Sequence, residues 1–227
     1  MEKVKKLYLI TAILLVVSIA YIIMVKTIDV KAIGPVNPET GVQSEVGFAT
    51  MNDAARNMIG ESHTWYKITK YSGYAALLLA AGYGIYGFIE LLKKKSIFKV
   101  DKRIITLGAF YVVVLAIYVL FELWIVNYRP VLEESGELEA SFPSSHTVLA
   151  ICVCGSSLFV SKYFIKNKNI KKIIDVIALV LLVVTLGGRI ISGVHWMSDI
   201  IGGIIISAYL LMAVYSVLKT IDYKESK

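Results

Sequence analysis

The chain is short of charge, proline, cysteine and histidine. Only 18% of its 227 residues are charged, and it has four prolines, two cysteines and three histidines. So little charge excludes an ordinary soluble surface. With 57% hydrophobic residues and a mean hydropathy of +0.69, the chain carries more apolar area than a soluble fold of this length hides. The two cysteines exclude a disulfide framework. Cys152 and Cys154 stand two apart in one apolar run, so on a helix they point to different sides and cannot bridge. No other ligand type lies near their depth, which argues against a metal there. Nucleic acid is not an expected partner, because no basic stretch is interleaved with aromatics. Internal repeats, low-complexity tracts and linkers are missing too, so one domain over 1–227 is the expectation.

What the chain has instead is six long apolar runs, at 7–25, 71–92, 104–124, 147–164, 173–191 and 200–218. A helix needs about 20 residues to cross the hydrocarbon core. Helix is the only sensible state for such runs, since an open strand in lipid leaves its backbone unpaired. The fold class predicted is therefore all-α, a six-transmembrane helical bundle. The first run follows a basic start but lacks a small-x-small site after it, so it reads as an uncleaved span.

Charge sets the expected orientation. Seventeen of the 24 basic residues fall in the N-terminus, the second connection, the fourth connection and the C-terminus. Six spans put these four segments on one side, which the positive-inside rule makes cytoplasmic. The net charge of +7 thus reads as a topology signal that also favours anionic lipid. The third connection is acidic, with Glu133, Glu134, Glu137 and Glu139, and belongs outside. Trp65, Trp124 and Trp196 fall at the outer ends of spans, as an interfacial belt would. Abundant lysine and isoleucine lean toward a bacterial plasma membrane.

The first outer connection has its own organisation. Gly34-Pro35 and Asn37-Pro38 signal turns. Phe48, Met51, Ala55, Met58 and Ile59 then recur at helical spacing, which predicts a short amphipathic interfacial helix. It reads as a cap on the bundle, or as a lid over the residues described next.

Four spans end, on the outer side, in polar groups that packing alone does not explain. Pro130 is expected to stop the third helix, so that Arg129 stands at its outer end. Pro143, Ser144, Ser145 and His146 open the fourth, with the proline at an expected helix start. That helix runs inward, so its free N–H groups and positive dipole end face out as an anion site. Gly188-Arg189 ends the fifth run. His195 and Asp199 stand one turn apart at the start of the sixth, side by side. Singly, each has a bland reading: snorkelling arginines, a helix start, a satisfied His–Asp pair. His63 has no evident partner and is left without a role. Together the groups bring cations, N–H donors and two histidines to one face.

The stretch 122–199 resembles the type 2 phosphatidic acid phosphatase superfamily, whose motifs read KxxxxxxRP, PSGH and SRxxxxxHxxxD. Here they stand as Glu122 with Arg129-Pro130, as Pro143-Ser144-Ser145-His146, and as Gly188-Arg189 with His195 and Asp199. The resemblance implies that His195 attacks phosphorus, Asp199 orients it and His146 protonates the leaving oxygen. It implies that Arg129, Arg189, Ser144 and the Ser145 backbone hold phosphate oxygens, with no cofactor and no metal. The partners implied are a lipid phosphate and membrane lipids, with no obligate protein partner.

Three positions depart from the pattern. Ser145 replaces glycine, which keeps the N–H. Gly188 replaces serine, which removes a hydroxyl. Glu122 replaces lysine, and no lysine lies between Arg103 and Lys162 to substitute. Seven residues are about two helical turns, so Glu122 is expected on the same face as Arg129. It then pairs with an arginine, or is protonated by its apolar surroundings, or contacts a cationic or hydroxylated part of the substrate. The function expected is hydrolysis of a lipid phosphomonoester or diphosphate, such as phosphatidate, phosphatidylglycerol phosphate or undecaprenyl diphosphate. The alternatives are a lipid phosphotransferase using the same histidine, and a non-catalytic lipid-phosphate binder.

Overall fold

The computed structural model describes residues 2–132 and 136–227. Glu133 and Glu134, counted above with the acidic connection, lie outside the described residues. The elements run α1 (Glu2–Thr27), β1 (Lys31–Val36), β2 (Gln43–Val46), α2 (Ala49–Ile59), α3 (His63–Lys94), α4 (Lys102–Leu123), α5 (Ser145–Phe164), α6 (Lys168–Ser192) and α7 (Met197–Glu225). All of these helices except α2 are long and apolar enough to cross a membrane, and they coincide with the six runs. The protein is a multi-pass membrane protein. Helix α5 is the most buried span and sits at the centre, against α3, α4, α6 and α7, while α1 packs on α7.

The helix ends follow local chemistry. Ser62 caps α3 through the Trp65 amide at 3.4 Å, and Asn167 caps α6 through the amides of Asn169 and Ile170. Gly193, at φ 66°, ends α6 in the left-handed conformation that glycine tolerates best. Between spans, hydroxyls bond across the apolar interior: Ser72 to Thr185 at 2.6 Å, Tyr83 to Ser157 at 2.8 Å, Tyr111 to Ser156 at 3.1 Å. Arg103, at the start of α4, binds Asp222 at 3.1 Å, and Tyr163 binds the same carboxylate at 2.7 Å. That network ties α4, α5 and α7 together at the lower end, leaving the upper end, where α3, α5 and α7 begin, to carry the polar groups of interest.

Five expectations need correction. A small antiparallel hairpin, β1 paired with β2, precedes α2. Gly34-Pro35 lies within β1 rather than in a turn, because a Cβ at Gly34 would stand 2.9 Å from Ser44 of the paired strand. Asn37-Pro38 does occupy the hairpin turn, with the Val42 carbonyl accepting from the Asn37 amide. Second, Phe48 is the N-cap of α2 and does not lie on it; the expected short amphipathic helix is otherwise present, with Met51 38% exposed and Met58 86%. Its buried face carries Ala49 and Asn52 instead. The first amides of α7 need acceptors, and Asn52 supplies one, accepting from the Ser198 amide at 3.0 Å. The same side chain donates to the Ser198 hydroxyl at 2.9 Å, so hydrogen bonding sets the face of α2.

Third, α4 ends at Leu123, well short of Pro130. The segment beyond is extended. Asn127 and Arg129 pair with Ser141 and Glu139 through backbone bonds of 3.0 Å, around a bridge between Tyr128 and Ala140. Two extended arms satisfy the backbone that a longer helix would have satisfied along itself. Fourth, α5 starts at Ser145, with Ser144 as its cap, so Pro143 lies outside the helix. Fifth, Trp196 belongs to no interfacial belt. It is 3% exposed, its indole donates to the Tyr128 carbonyl at 2.8 Å, and Arg56 lies over its ring.

Candidate active site

The upper ends of α3, α5, α6 and α7, with the two arms after α4, meet around Arg189. This guanidinium is wholly buried on the last turn of α6. One of its nitrogens, Nη2, donates to His146 Nδ1 at 2.8 Å and to His195 Nε2 at 3.4 Å. Its Nη1 donates to the Thr69 hydroxyl at 3.3 Å, and Tyr66 lies against its face at 5.6 Å. Two histidines from different helix starts therefore converge on one nitrogen.

His195 is 6% exposed, in the turn between α6 and α7. Its Nδ1 stands 3.9 Å from the Asp199 carboxylate, beyond hydrogen-bond reach. The Ser141 hydroxyl fills that space. It sits 3.1 Å from His195 Nδ1 and donates to Asp199 Oδ2 in a short contact. One tautomer satisfies every contact: Nδ1 carries the proton toward Ser141, and Nε2 is left as a lone pair facing Arg189. Asp199 is held further by the Asn127 amide at 3.0 Å and the Trp196 N–H at 3.0 Å. Burial first, then the charges of Arg129 and Arg189, hold the His195 pKa well below the ordinary histidine value. The ring is accordingly neutral near pH 7.

Arg129 is 8% exposed and is paired with Glu139 at 2.6 Å. It lies close enough to His195, His146 and Arg189 to act on all three electrostatically. Among the described residues, the Nε atoms of both Arg129 and Arg189 are buried without a hydrogen-bond partner. Two guanidinium groups with unused donors thus stand near a neutral histidine, and such donors suit an anion.

The second motif is split. His146 faces the site, and Ser145 lines the adjoining groove. Ser144 departs from the expected placement: its amide donates to the Asp199 carbonyl at 3.1 Å and its hydroxyl accepts from Thr147 at 3.0 Å. Thr147 and the Ser144 carbonyl pack tightly on Gly203 of α7. Glu122, on the last turn of α4, is exposed on the groove wall against Tyr118. The expected shared face with Arg129 fails because the helix ends between them, and Arg129 takes Glu139 as its partner.

Two cavities open beside the histidines. One, of about 390 Å³, is polar and lined by His63, Tyr66, Lys70, Arg129, Glu139 and Ser192 among others. The other, of about 470 Å³, is an apolar groove between α3, α4 and α5 that ends on His146. His63, set aside from the sequence, thus stands at the rim of the polar cavity.

The model of the PAP2 superfamily matches residues 56–223. The chain belongs to the PAP2 superfamily. Its fold is similar to that of the first transmembrane PAP2 type phosphatidylglycerolphosphate phosphatase from Bacillus subtilis. The two share 19% identity over 97% of this chain and 98% of that one, with a TM-score of 0.54. No curated protein matches the sequence closely enough to count as a relative.

Several PAP2 site residues here lie outside the three motifs. Asn127 and Ser141 each stand two positions from a motif residue, which on an extended arm is the same face. That alternation was the available signal for them. Tyr66, Thr69 and Gly73 come from α3, where they recur at helical spacing at the start of an apolar run. Gly73 makes room for His146: a Cβ there would stand 2.8 Å from the imidazole Cδ2. Gly188, in the serine position of the third PAP2 motif, does the same for α3, since a Cβ would meet Thr69 at 2.5 Å and Trp65 at 3.0 Å. The hydroxyl lost at Gly188 is answered by that of Thr69, which reaches Arg189 because the helices approach so closely.

Proposed function

We propose that this protein hydrolyses a phosphomonoester or diphosphate of a lipid at the extracytoplasmic face of a bacterial plasma membrane. The observation that carries the reading is the convergence of His146 and His195 on one buried Arg189 nitrogen. The apolar groove ending on His146 favours a lipid over a soluble phosphate ester, because it offers the chain a place within the bilayer. The clustering of lysine and arginine in alternate connections supports the orientation.

The chemistry follows from the contacts. His195 Nε2 carries a lone pair and attacks phosphorus, forming an N–P bond as the P–O bond to the lipid breaks. His146 gives its proton to the departing oxygen, which lies on the groove side. Water, deprotonated by His146, then attacks phosphorus and breaks the N–P bond, releasing phosphate. Arg129 and Arg189 stabilise charge on the equatorial oxygens throughout, the main requirement of phosphoryl transfer. A bound dianion draws the Arg189 donors to itself and frees His146 Nδ1 to take up the proton that an acid needs. Ser141 and Asp199 keep His195 in its tautomer. The positive charge comes from side chains, so each step is written without a metal. Phosphatidylglycerol phosphate, the substrate in the name of the Bacillus subtilis protein, is the first to try. Undecaprenyl diphosphate and phosphatidate follow.

The test is release of inorganic phosphate from these lipids by the detergent-purified chain, with chelator present. Wild type turns over, and His195→Ala does not. Acid-labile label retained on the wild-type protein marks the phosphohistidine. Phosphorylated lipid product without free phosphate would replace the hydrolase by a phosphotransferase. Loss of activity on chelation would replace this mechanism by a metal-dependent one.

A further inference from the structure

We propose that Lys70 of α3 is a phosphate-binding cation of this site, supplying from a different helix the charge that Glu122 does not. The proposal rests on the lipid-phosphate reading above and adds a residue that none of the three motifs contains.

Helix α3 presents one face to the reaction centre. With 3.6 residues per turn, Tyr66, Lys70 and Gly73 fall within a sector of about 60°. Tyr66 lies against the Arg189 guanidinium, and Gly73 lies against the His146 ring. Thr69, beside that sector, accepts from Arg189. Lys70 stands at the edge of that sector away from Thr69, and lines the polar cavity together with Arg129, Tyr66, Glu139 and Ser192. It is also close enough to His146 to act on it electrostatically. Lys67 and Lys70 are both exposed, but Lys67 lines neither the polar cavity nor the apolar groove.

The position of Glu122 makes the assignment specific. With α4 ending at Leu123, residue 122 is on the wall of the apolar groove, whereas Arg129 and Lys70 line the polar cavity. Glu122 does not line that cavity, where Glu139 is paired with Arg129, and Lys70 adds an ammonium from α3. A lysine on a flexible stem acts there as a mobile point charge with three donors. That suits an anion entering from solvent or from the lipid surface, ahead of the buried arginines.

The experiment measures inorganic phosphate binding to the full chain in detergent, by calorimetry at fixed ionic strength, for wild type, Lys70→Met, Lys70→Gln, Lys70→Arg and Lys67→Met. Gel filtration confirms a folded species in each case, and Lys70→Gln replaces Lys70→Met if the latter aggregates. The expected result is a phosphate affinity about 10-fold weaker or more without the charge at 70, within about 3-fold of wild type for Lys70→Arg, and unchanged for Lys67→Met. Lipid phosphate hydrolysis by the Lys70 variants should fall mainly through a higher KM. Equal phosphate affinity for wild type and Lys70→Met would overturn the proposal, as would equal losses at positions 67 and 70. Failure of the function reading looks different: wild type binds phosphate through Lys70 yet releases none from any lipid.

Discussion

His195 and Asp199 stand 3.9 Å apart, one helical turn from each other in sequence but too distant for a direct hydrogen bond. Ser141 occupies the gap and touches both, so the aspartate orients the histidine through a hydroxyl contributed by the arm before α5. The familiar i, i+4 spacing therefore describes only half of the arrangement.

Ser141→Ala should lower kcat/KM by about 10- to 100-fold, because the imidazole loses the acceptor that holds its tautomer. If the hydroxyl is the link, Asp199→Asn will have little further effect in the Ser141→Ala background. Additive losses in that double-mutant cycle would show independent roles.

Gly73→Ala tests the seat of His146. The new methyl would overlap the ring, at 2.8 Å from Cδ2 and 3.2 Å from Nε2. Expected is a drop in kcat of about 10-fold or more, on the scale of misplacing a general acid. Thermal unfolding in detergent should change little, since the imidazole can swing toward the groove.

Gly188→Ser restores the residue typical of the third motif, yet it should impair this protein. A Cβ at 188 meets Thr69 and Trp65 within 3.0 Å, which pushes α3 from α6 and takes Thr69 from Arg189. Overpacking of this kind costs about 1–3 kcal/mol, read as a lower unfolding temperature with reduced activity. A gain of activity would mean that Thr69 does not replace the missing hydroxyl.

The pH profile should carry the mark of Arg129. In the proposed mechanism the nucleophile is neutral His195, so kcat/KM is lost as pH falls through its pKa. Burial, Arg129 and Arg189 hold that pKa well below the ordinary value. The acid limb of wild type should therefore lie below about pH 6.5, the unperturbed histidine value. Arg129→Met removes a positive charge, raises the His195 pKa and moves the limb to higher pH. Comparing the variant with wild type on one substrate cancels the titration of the substrate itself. An unmoved limb would take His195 out of the nucleophile role or Arg129 out of its field.

Much of this protein could be read from residue order alone. Apolar runs long enough to span a bilayer define the six helices, because in lipid only a helix satisfies its own backbone. The third motif, Arg189 with His195 and Asp199, was legible because its members sit on adjoining helix ends, where spacing translates directly into position. The first motif was misread where a helix was extrapolated past Leu123 to Arg129. Whether that stretch stays helical depends on a pairing partner at 139–141, distant in sequence. The same limit hid Ser141, Asn127, Thr69 and Gly73, whose roles come from contacts between elements. Composition and periodicity thus determined the bundle, and the resemblance of three motifs to a family pattern pointed to the candidate site residues. Tertiary packing decided which nitrogen faces which oxygen, because close approach of α3, α5 and α6 at Gly73 and Gly188 is a property of surfaces meeting, and no single segment encodes it.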